Sequence, residues 1–343
     1  MEKGGKRNRV SPRVRLQDVA RRCGVSVATV SRALASEEGV RPDLRARIVE
    51  VARELNYPLP SSLAGQKVVL AASAAAMIDY ARNQFSLHVL EGLRARAEAL
   101  RMEVVTRTVS SAADEKALLA EAEADDEVAG VLFLTLDDEE MLAPTRNFSK
   151  PLVLVNGDDP DMRLSSVAPS NRSAAALATD YLRRLGHHRI LFLTRPGRRT
   201  IARRFEGWRD RMGADADPSL VVEVGDWLPE LAAEAITQRL AEKGRDFTAV
   251  LAAGDSLAAG AIMALTAAGI RLPGEVSVMG MDGLPQTALL NPPLSAVEIP
   301  MRALGAVALD LLRETATGFE MPARRVELAC RIVERGSTGP ALA

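Results

Sequence analysis

From Val68 onward, short apolar runs alternate with longer stretches whose apolar residues recur at helical spacing, and this alternation restricts the fold more than any other feature. Val68–Ala72, Met102–Thr106, Val128–Leu134, Leu152–Val155, Ile190–Leu193, Ala249–Ala252 and Val276–Met279 predict strands. Gln84–Leu100, Ser173–Leu185 and Ser256–Ala268 predict helices. A strand separated from the next by a helix joins it in parallel, and a parallel sheet needs cover on both faces. The expected class is therefore α/β. At 343 residues the chain is too long for one ordinary domain. Its longest apolar run, Val68 to Ile78, is too short and too rich in Ala and Ser to span a bilayer. No G-x-x-x-x-G-K-[ST] or G-x-G-x-x-G loop occurs, so a nucleotide reading has no support.

The N-terminal portion differs in kind. Residues 1–66 carry 13 Lys/Arg against 7 Asp/Glu, a net charge of +6, whereas the remainder carries 31 against 38, a net charge of −7. A basic head on an acidic body predicts that the head alone meets a polyanion. The basic stretch Lys3 to Arg15 is followed by no apolar segment, so it does not read as a secretory signal. Cys23 and Cys330, the two cysteines, give neither a disulfide framework nor metal-ligand spacing. A cytoplasmic protein bound to the nucleoid is expected, without cofactor or metal.

Within the head, Leu16, Val19, Ala20 and Cys23 mark one helix face, Gly24 suits a left-handed stop, and Ser26 is placed to cap a second helix beginning at Val27. That helix buries Val30, Ala33 and Leu34 and turns Val27, Ala28, Thr29, Ser31 and Arg32 outward. A third helix starts near Pro42 and buries Leu44, Ile48, Val51 and Leu55. Two short helices about a glycine turn form a helix-turn-helix unit. Small leading residues let the second helix enter a major groove only ~12 Å wide, where Arg32 can present its fork to guanine O6 and N7. Thr29, Ser31 and the helix N-terminus can hold phosphates.

The run Leu16 to Leu34, L-Q-D-V-A-R-R-C-G-V-S-V-A-T-V-S-R-A-L, resembles the DNA-binding head of the LacI/GalR family of bacterial repressors. The likeness continues through Val40, the helix R-A-R-I-V-E-V-A-R-E-L and Asn56-Tyr57. It implies that Val27 and Ala28 read bases together with Arg32, and that Arg15, Ser26, Thr29 and Ser31 hold backbone phosphates. Arg41 stands where the family has a Ser cap; it either weakens the third helix slightly or adds a phosphate contact. In the family the next segment is a hinge helix that wedges a Leu into the minor groove, unstacking a base step. Here it reads P-L-P-S-S-L-A-G-Q-K, about three residues shorter than the family spacing, or nearly one helical turn. Leu63 is the expected wedge; the alternative is a Pro/Ser-rich tether without DNA contact.

Family hallmarks continue through the core at Leu182–Leu193, Arg203–Trp208, Gly254–Ala261, Leu272–Asp282 and Asn291–Val297. They imply a periplasmic-binding-protein-like pair of parallel α/β subdomains with a ligand between them, and chain crossings near Ala168, Val297 and Met321. The implied division is a disordered basic arm (1–13), a helix-turn-helix domain (14–57), a hinge (58–66), an N-terminal subdomain (67–168 and 297–321), a C-terminal subdomain (169–296 and 322–336) and a tail (337–343). By position, Arg204 is the ligand-clamping Arg and Asp282 its acceptor, facing each other across the cleft. Trp227 in V-G-D-W would pack on a sugar ring, while Trp208 is structural. Asn156, Thr200, Asn83, Met301, Leu304 and Asp255 complete the implied lining. Gly254 replaces the family's Asn and deletes one polar contact.

The expected protein is a ligand-responsive regulator, a repressor that binds a pseudopalindromic operator as a homodimer or tetramer and answers to a sugar or sugar derivative. A protein, phosphorylated or nucleobase coeffector is the alternative. A transport-associated sugar-binding protein would share the core, but it needs an export signal and no DNA-binding head. An enzyme is not expected, because His88, His187 and His188 show no acid–base partner pattern.

Overall fold

The computed structural model describes residues 15–34, 39–55, 57, 63–74, 76–77, 84–137, 139–316 and 322–342. Three helices form the head: α1 (Leu16–Cys23), α2 (Val27–Leu34) and α3 (Pro42–Glu54). At the start of α1 the Arg15 N–H donates to the Asp18 carboxylate at 2.8 Å, and the Asp18 N–H donates to the Arg15 carbonyl at 2.8 Å. Gly24, at φ 68°, ends the helix in the left-handed region and lets the Val25 N–H reach the Ala20 carbonyl at 3.1 Å. Ser26 Oγ then accepts from the Thr29 N–H at 3.0 Å and caps α2. Val19, Ala20, Val30, Ala33, Leu34, Ile48 and Ala52 close a separate small core, with Leu44 and Leu55 packed at its margin.

The larger part begins with β1 (Lys67–Ser73), α4 (Phe85–Ala99), β2 (Glu103–Val109), α5 (Ala112–Ala124), β3 (Val128–Leu134), the single turn α6 (Glu139–Leu142), β4 (Leu152–Val155) and β5 (Ser165–Pro169). It continues through α7 (Asn171–Arg184), β6 (Ile190–Thr194), α8 (Arg199–Met212), β7 (Val221–Glu223), α9 (Pro229–Lys243), β8 (Ala249–Ala252), α10 (Asp255–Ala267), β9 (Ser277–Asp282) and β10 (Ser295–Glu298). It closes with α11 (Met301–Ala316), β11 (Arg325–Leu328) and β12 (Arg331–Val333). Two six-stranded sheets result, in the orders β11-β5-β4-β3-β1-β2 and β12-β10-β9-β8-β6-β7. All pairings are parallel except β12 against β10. Central strands such as β3 are buried along their whole length, as double-sided cover requires. In the first subdomain α4 and α11 cross at glycines. A Cβ on Gly92 would lie 1.9 Å from the Arg302 carbonyl oxygen, and one on Gly305 would lie 2.0 Å from that of Val89.

The chain passes between subdomains after β5, after β10 and after β11. The third passage corrects the expectation of a crossing near Met321, a residue that lies outside the described ones. β11 runs parallel to β5 from Arg325 opposite Ser166 to Leu328 opposite Pro169, so it belongs to the first sheet, and the chain changes side at residues 329–330. Cys330 sits at that passage and packs against both cores; burial raises its thiol pKa. The residues expected as a tail are likewise part of the second subdomain. Ser337 is fully buried, its carbonyl accepts from the Val278 N–H at 2.8 Å, and its hydroxyl donates to the Val278 carbonyl at 2.6 Å. Buried His187 links this segment to the sheet, with Nδ1 2.9 Å from Thr248 Oγ1 and Nε2 3.0 Å from the Gly339 carbonyl.

Candidate functional site

The residues expected to act fall on two surfaces of this fold. On the head, the buried side of α2 fixes Val30, Ala33 and Leu34, so the other side must face solvent. Val27 is 40% exposed, and Ala28, Ser31 and Arg32 are exposed with it. The Arg32 guanidinium folds back along its own helix, with Nε 3.4 Å from the Ala28 carbonyl. Such a long weak contact is easily exchanged for a stronger acceptor. Ser26 and Thr29 are tied to each other, Oγ to Oγ1 at 2.8 Å, at the N-terminus of α2. A helix N-terminus with hydroxyls beside it is suited to a phosphate. Arg15 is exposed beside α1. Leu63 is half-buried and packed against the first subdomain's core, so its side chain is not displayed as a wedge here. Residues 58–62 of the hinge lie outside the described residues.

The second surface lies at the carboxyl ends of the parallel strands, where adjacent loops diverge and leave room for a ligand. Arg204, buried on α8, donates from Nε to Asn171 Oδ1 at 2.8 Å and from Nη1 to the Ala253 carbonyl, and Nη1 stands 3.6 Å from Asp282 Oδ1. Arg204 and Asp282 therefore do not face each other across the cleft. Both belong to the second subdomain and touch, because α8 and the end of β9 cover the same end of one sheet. Asp282 Oδ2 in turn accepts from the Asp255 N–H at 3.3 Å. The buried Asp255 carboxylate holds the following turn by accepting from the Leu284 N–H at 2.8 Å. Burial, and then the charge of Asp282, raise its pKa.

Trp227 is half-buried beside this group. A Cβ on Gly254 would come within 3.0 Å of Trp227 Cζ3 and 3.4 Å of Asp282 Oδ2. The absence of a side chain at Gly254 thus makes the space in which the indole lies. Thr200 is buried in the first turn of α8 with no hydrogen-bond partner for its hydroxyl, and Thr194, at the end of β6, is in the same condition. Asn156 lies at the opposite lip, after β4, in the left-handed region (φ 52°), with Oδ1 unpartnered. Met301 and Leu304 are enclosed in the first subdomain's core, Leu304 with no exposed surface. Asn83 lies outside the described residues.

Sequence reasoning gave no role to four residues that pair between the two subdomains. Asp137 and Asp158, after β3 and β4, pair with Arg198 and Arg203 of the second subdomain at 3.2 and 2.6 Å. Their position at strand carboxyl ends was the available signal, since that is where open α/β folds place ligand-contacting groups.

Comparison with known proteins agrees with this architecture. Residues 15–59 match the model described as bacterial regulatory proteins, lacI family, and residues 179–338 match that of a periplasmic binding protein-like domain. The chain is 30% identical to the HTH-type transcriptional regulator MalR of Streptomyces coelicolor over 95% of its own length and 97% of the relative's. It is 28% identical to the lactose operon repressor of Escherichia coli, covering 95% and 91% of the two chains. Among solved structures, the transcriptional regulator CelR–cellobiose complex superposes with a TM-score of 0.72 at 26% identity, covering 95% of this chain and 100% of that one. The lac repressor dimer bound to operator and the anti-inducer ONPF gives 0.71 at 26% identity, covering 95% and 99%. A helix-turn-helix head joined to a two-subdomain ligand-binding core is the plan of a ligand-responsive transcriptional regulator. This chain belongs to the LacI family of such regulators. Among the described residues, no helix is long and apolar enough to cross a membrane.

Proposed function

We propose that the protein is a repressor that binds a pseudopalindromic operator as a homodimer and is switched by a neutral, hydroxyl-rich small molecule, a sugar or sugar derivative, held between its subdomains. The outward face of α2 is the observation that carries the DNA half of this reading: small residues lead, Arg32 follows, and a closed core lies behind. Val27, Ala28 and Arg32 are the base readers, and Arg15, Ser26, Thr29 and Ser31 the phosphate contacts. One head buries little surface on DNA, so tight binding calls for two heads on a two-fold axis, about 34 Å apart. Leu289 (87% exposed) and Met263 (53% exposed) on the second subdomain offer apolar surface to a second copy.

The cleft supports a neutral ligand. Its unpartnered buried atoms among the described residues include Asp137 Oδ2, Asn156 Oδ1, Asp255 Oδ1 and the hydroxyls of Thr194 and Thr200. These accept hydrogen bonds, or in the threonines do either, while the guanidinium groups of Arg198 and Arg204 already hold carbonyls or carboxylates. Sugar hydroxyls supply the missing donors; a fully ionised phosphate group supplies none. Trp227 adds an apolar face for a ring.

The test selects DNA from a random pool with the full-length protein, then titrates the selected operator complex with cellobiose, other neutral sugars and their phosphates. Palindromic sites whose preference is lost in Arg32→Ala, together with an affinity shift from a neutral sugar, are expected. Selection of unrelated sequences, or a response to phosphorylated compounds alone, overturns the reading. A ligand can move operator affinity only by binding the two states of the core unequally.

A further inference from the structure

Two arginines of the second subdomain reach across the cleft to carboxylates of the first. Arg198, just before α8, places Nε 3.2 Å from Asp137 Oδ1 and donates through Nη2 to the Asn156 carbonyl. Arg203, further along α8, sets Nη2 and Nε 2.6 and 3.0 Å from Asp158 Oδ2. Only 4% of the Asp137 side chain and 8% of that of Asp158 remain exposed. The two carboxylates differ in what else holds them. Asp158 also has Arg325, from β11 of its own subdomain, 2.8 Å from Oδ1. Among the described residues, no second cation pairs with Asp137, and its Oδ2 accepts no hydrogen bond.

We propose that Arg198 and Asp137 form an ionic clasp that holds the two subdomains closed before any effector arrives, with Arg203 and Asp158 as a weaker second catch. All four are positioning residues for the cleft, whatever ligand it takes. The physical ground is the cost of a buried charge. A carboxylate this well enclosed is tolerable only while its partner stays in place, and losing one partner is far worse than losing both. Without Arg198, Asp137 is stranded, and the one way to rehydrate it is to part the subdomains. Without Arg203, Asp158 still keeps Arg325. The clasp sets the resting population of closed molecules, on which any effector then acts by its unequal affinity for open and closed forms.

Hydrogen–deuterium exchange of the full-length protein without effector tests this. Arg198→Gln is expected to raise exchange in segments 134–137 and 156–159 by about tenfold or more, the equivalent of one unsatisfied buried group. Arg203→Gln should do so to a smaller extent. Adding Asp137→Asn to Arg198→Gln removes the stranded charge and should bring exchange down from the single variant's level, yet leave it above wild type because the clasp itself is gone. Strands β1 and β9 should not change in any of the three. Wild-type exchange at both lips in Arg198→Gln, a larger effect from Arg203→Gln, or a rise spread equally through β1 and β9 would each overturn the clasp. This measurement involves no effector, so it stands or falls separately from the sugar reading.

Discussion

Gly254 offers the sharpest single perturbation of the candidate effector site. A methyl group there would sit 3.0 Å from Trp227 Cζ3, 3.3 Å from Cε3 and 3.4 Å from Asp282 Oδ2. Ordinary carbon–carbon contact is about 3.5–4.0 Å, so the ring has to withdraw by about half an ångström or more for alanine, and further for asparagine. The backbone of Gly254 is extended, so the substitution strains no dihedral angle. Trp227 is half-buried and can swing outward, which keeps the stability cost near the low end of overpacking, about 1 kcal/mol. That corresponds to about 2–4 °C in Tm for a domain of this size. The informative readout is fluorescence. The other tryptophan, Trp208, is 1% exposed, stacks at 5.6 Å on Phe192 and donates Nε1–H to the Ile190 carbonyl at 3.2 Å. Its emission should stay constant. Gly254→Ala should shift the emission of effector-free protein to longer wavelength as Trp227 meets water, and Gly254→Asn should shift it further. Any sugar that binds wild-type protein should bind the Asn variant about tenfold more weakly, the equivalent of about 1–3 kcal/mol of overpacking. Unchanged emission in both variants, with unchanged Tm, would refute the assignment of Gly254 as the seat of the indole.

Two further outcomes concern the scaffold. Burial holds the His187 pKa below its ordinary value, so the folded state binds fewer protons than the unfolded one. Its contribution is complete above the unfolded pKa of 6.5 and is lost as pH falls from there toward the lowered folded value. Urea unfolding at pH 7.5 and 5.5 should show that loss, and a smaller one in His187→Asn; equal slopes would count against it. Gly92→Ala places Cβ 1.9 Å from the Arg302 carbonyl oxygen and 2.5 Å from its carbon, both backbone atoms that cannot swing away. Separating α4 from α11 should cost about 3 kcal/mol or more, read from the denaturation midpoint; a cost under about 1 kcal/mol would show that the helices re-pack freely.

Much of this protein is written locally, and that part was legible. The head follows from neighbours a few residues apart: Gly24 for a left-handed stop, Ser26 for a cap, and apolar residues at helical spacing for a core of nine buried side chains. Its outward face, with Val27, Ala28 and Arg32, then follows by exclusion. Apolar runs such as Val128–Leu134 likewise announce buried parallel strands, because period and composition depend on one segment alone. What the sequence left open depends on partners far along the chain. Nothing within residues 322–342 tells that β11 closes the first sheet while Ser337 and Gly339 lock onto the second; a single short strand fits either edge until the rest of the sheet exists. The same holds at the cleft. That Arg204 and Asp282 share a side, that Gly254 houses the Trp227 ring, and that Arg198 meets Asp137 across 61 residues are consequences of which loop ends converge. Local propensity fixes an element and its faces, but only the packed sheets decide which charges are buried together and must therefore pair.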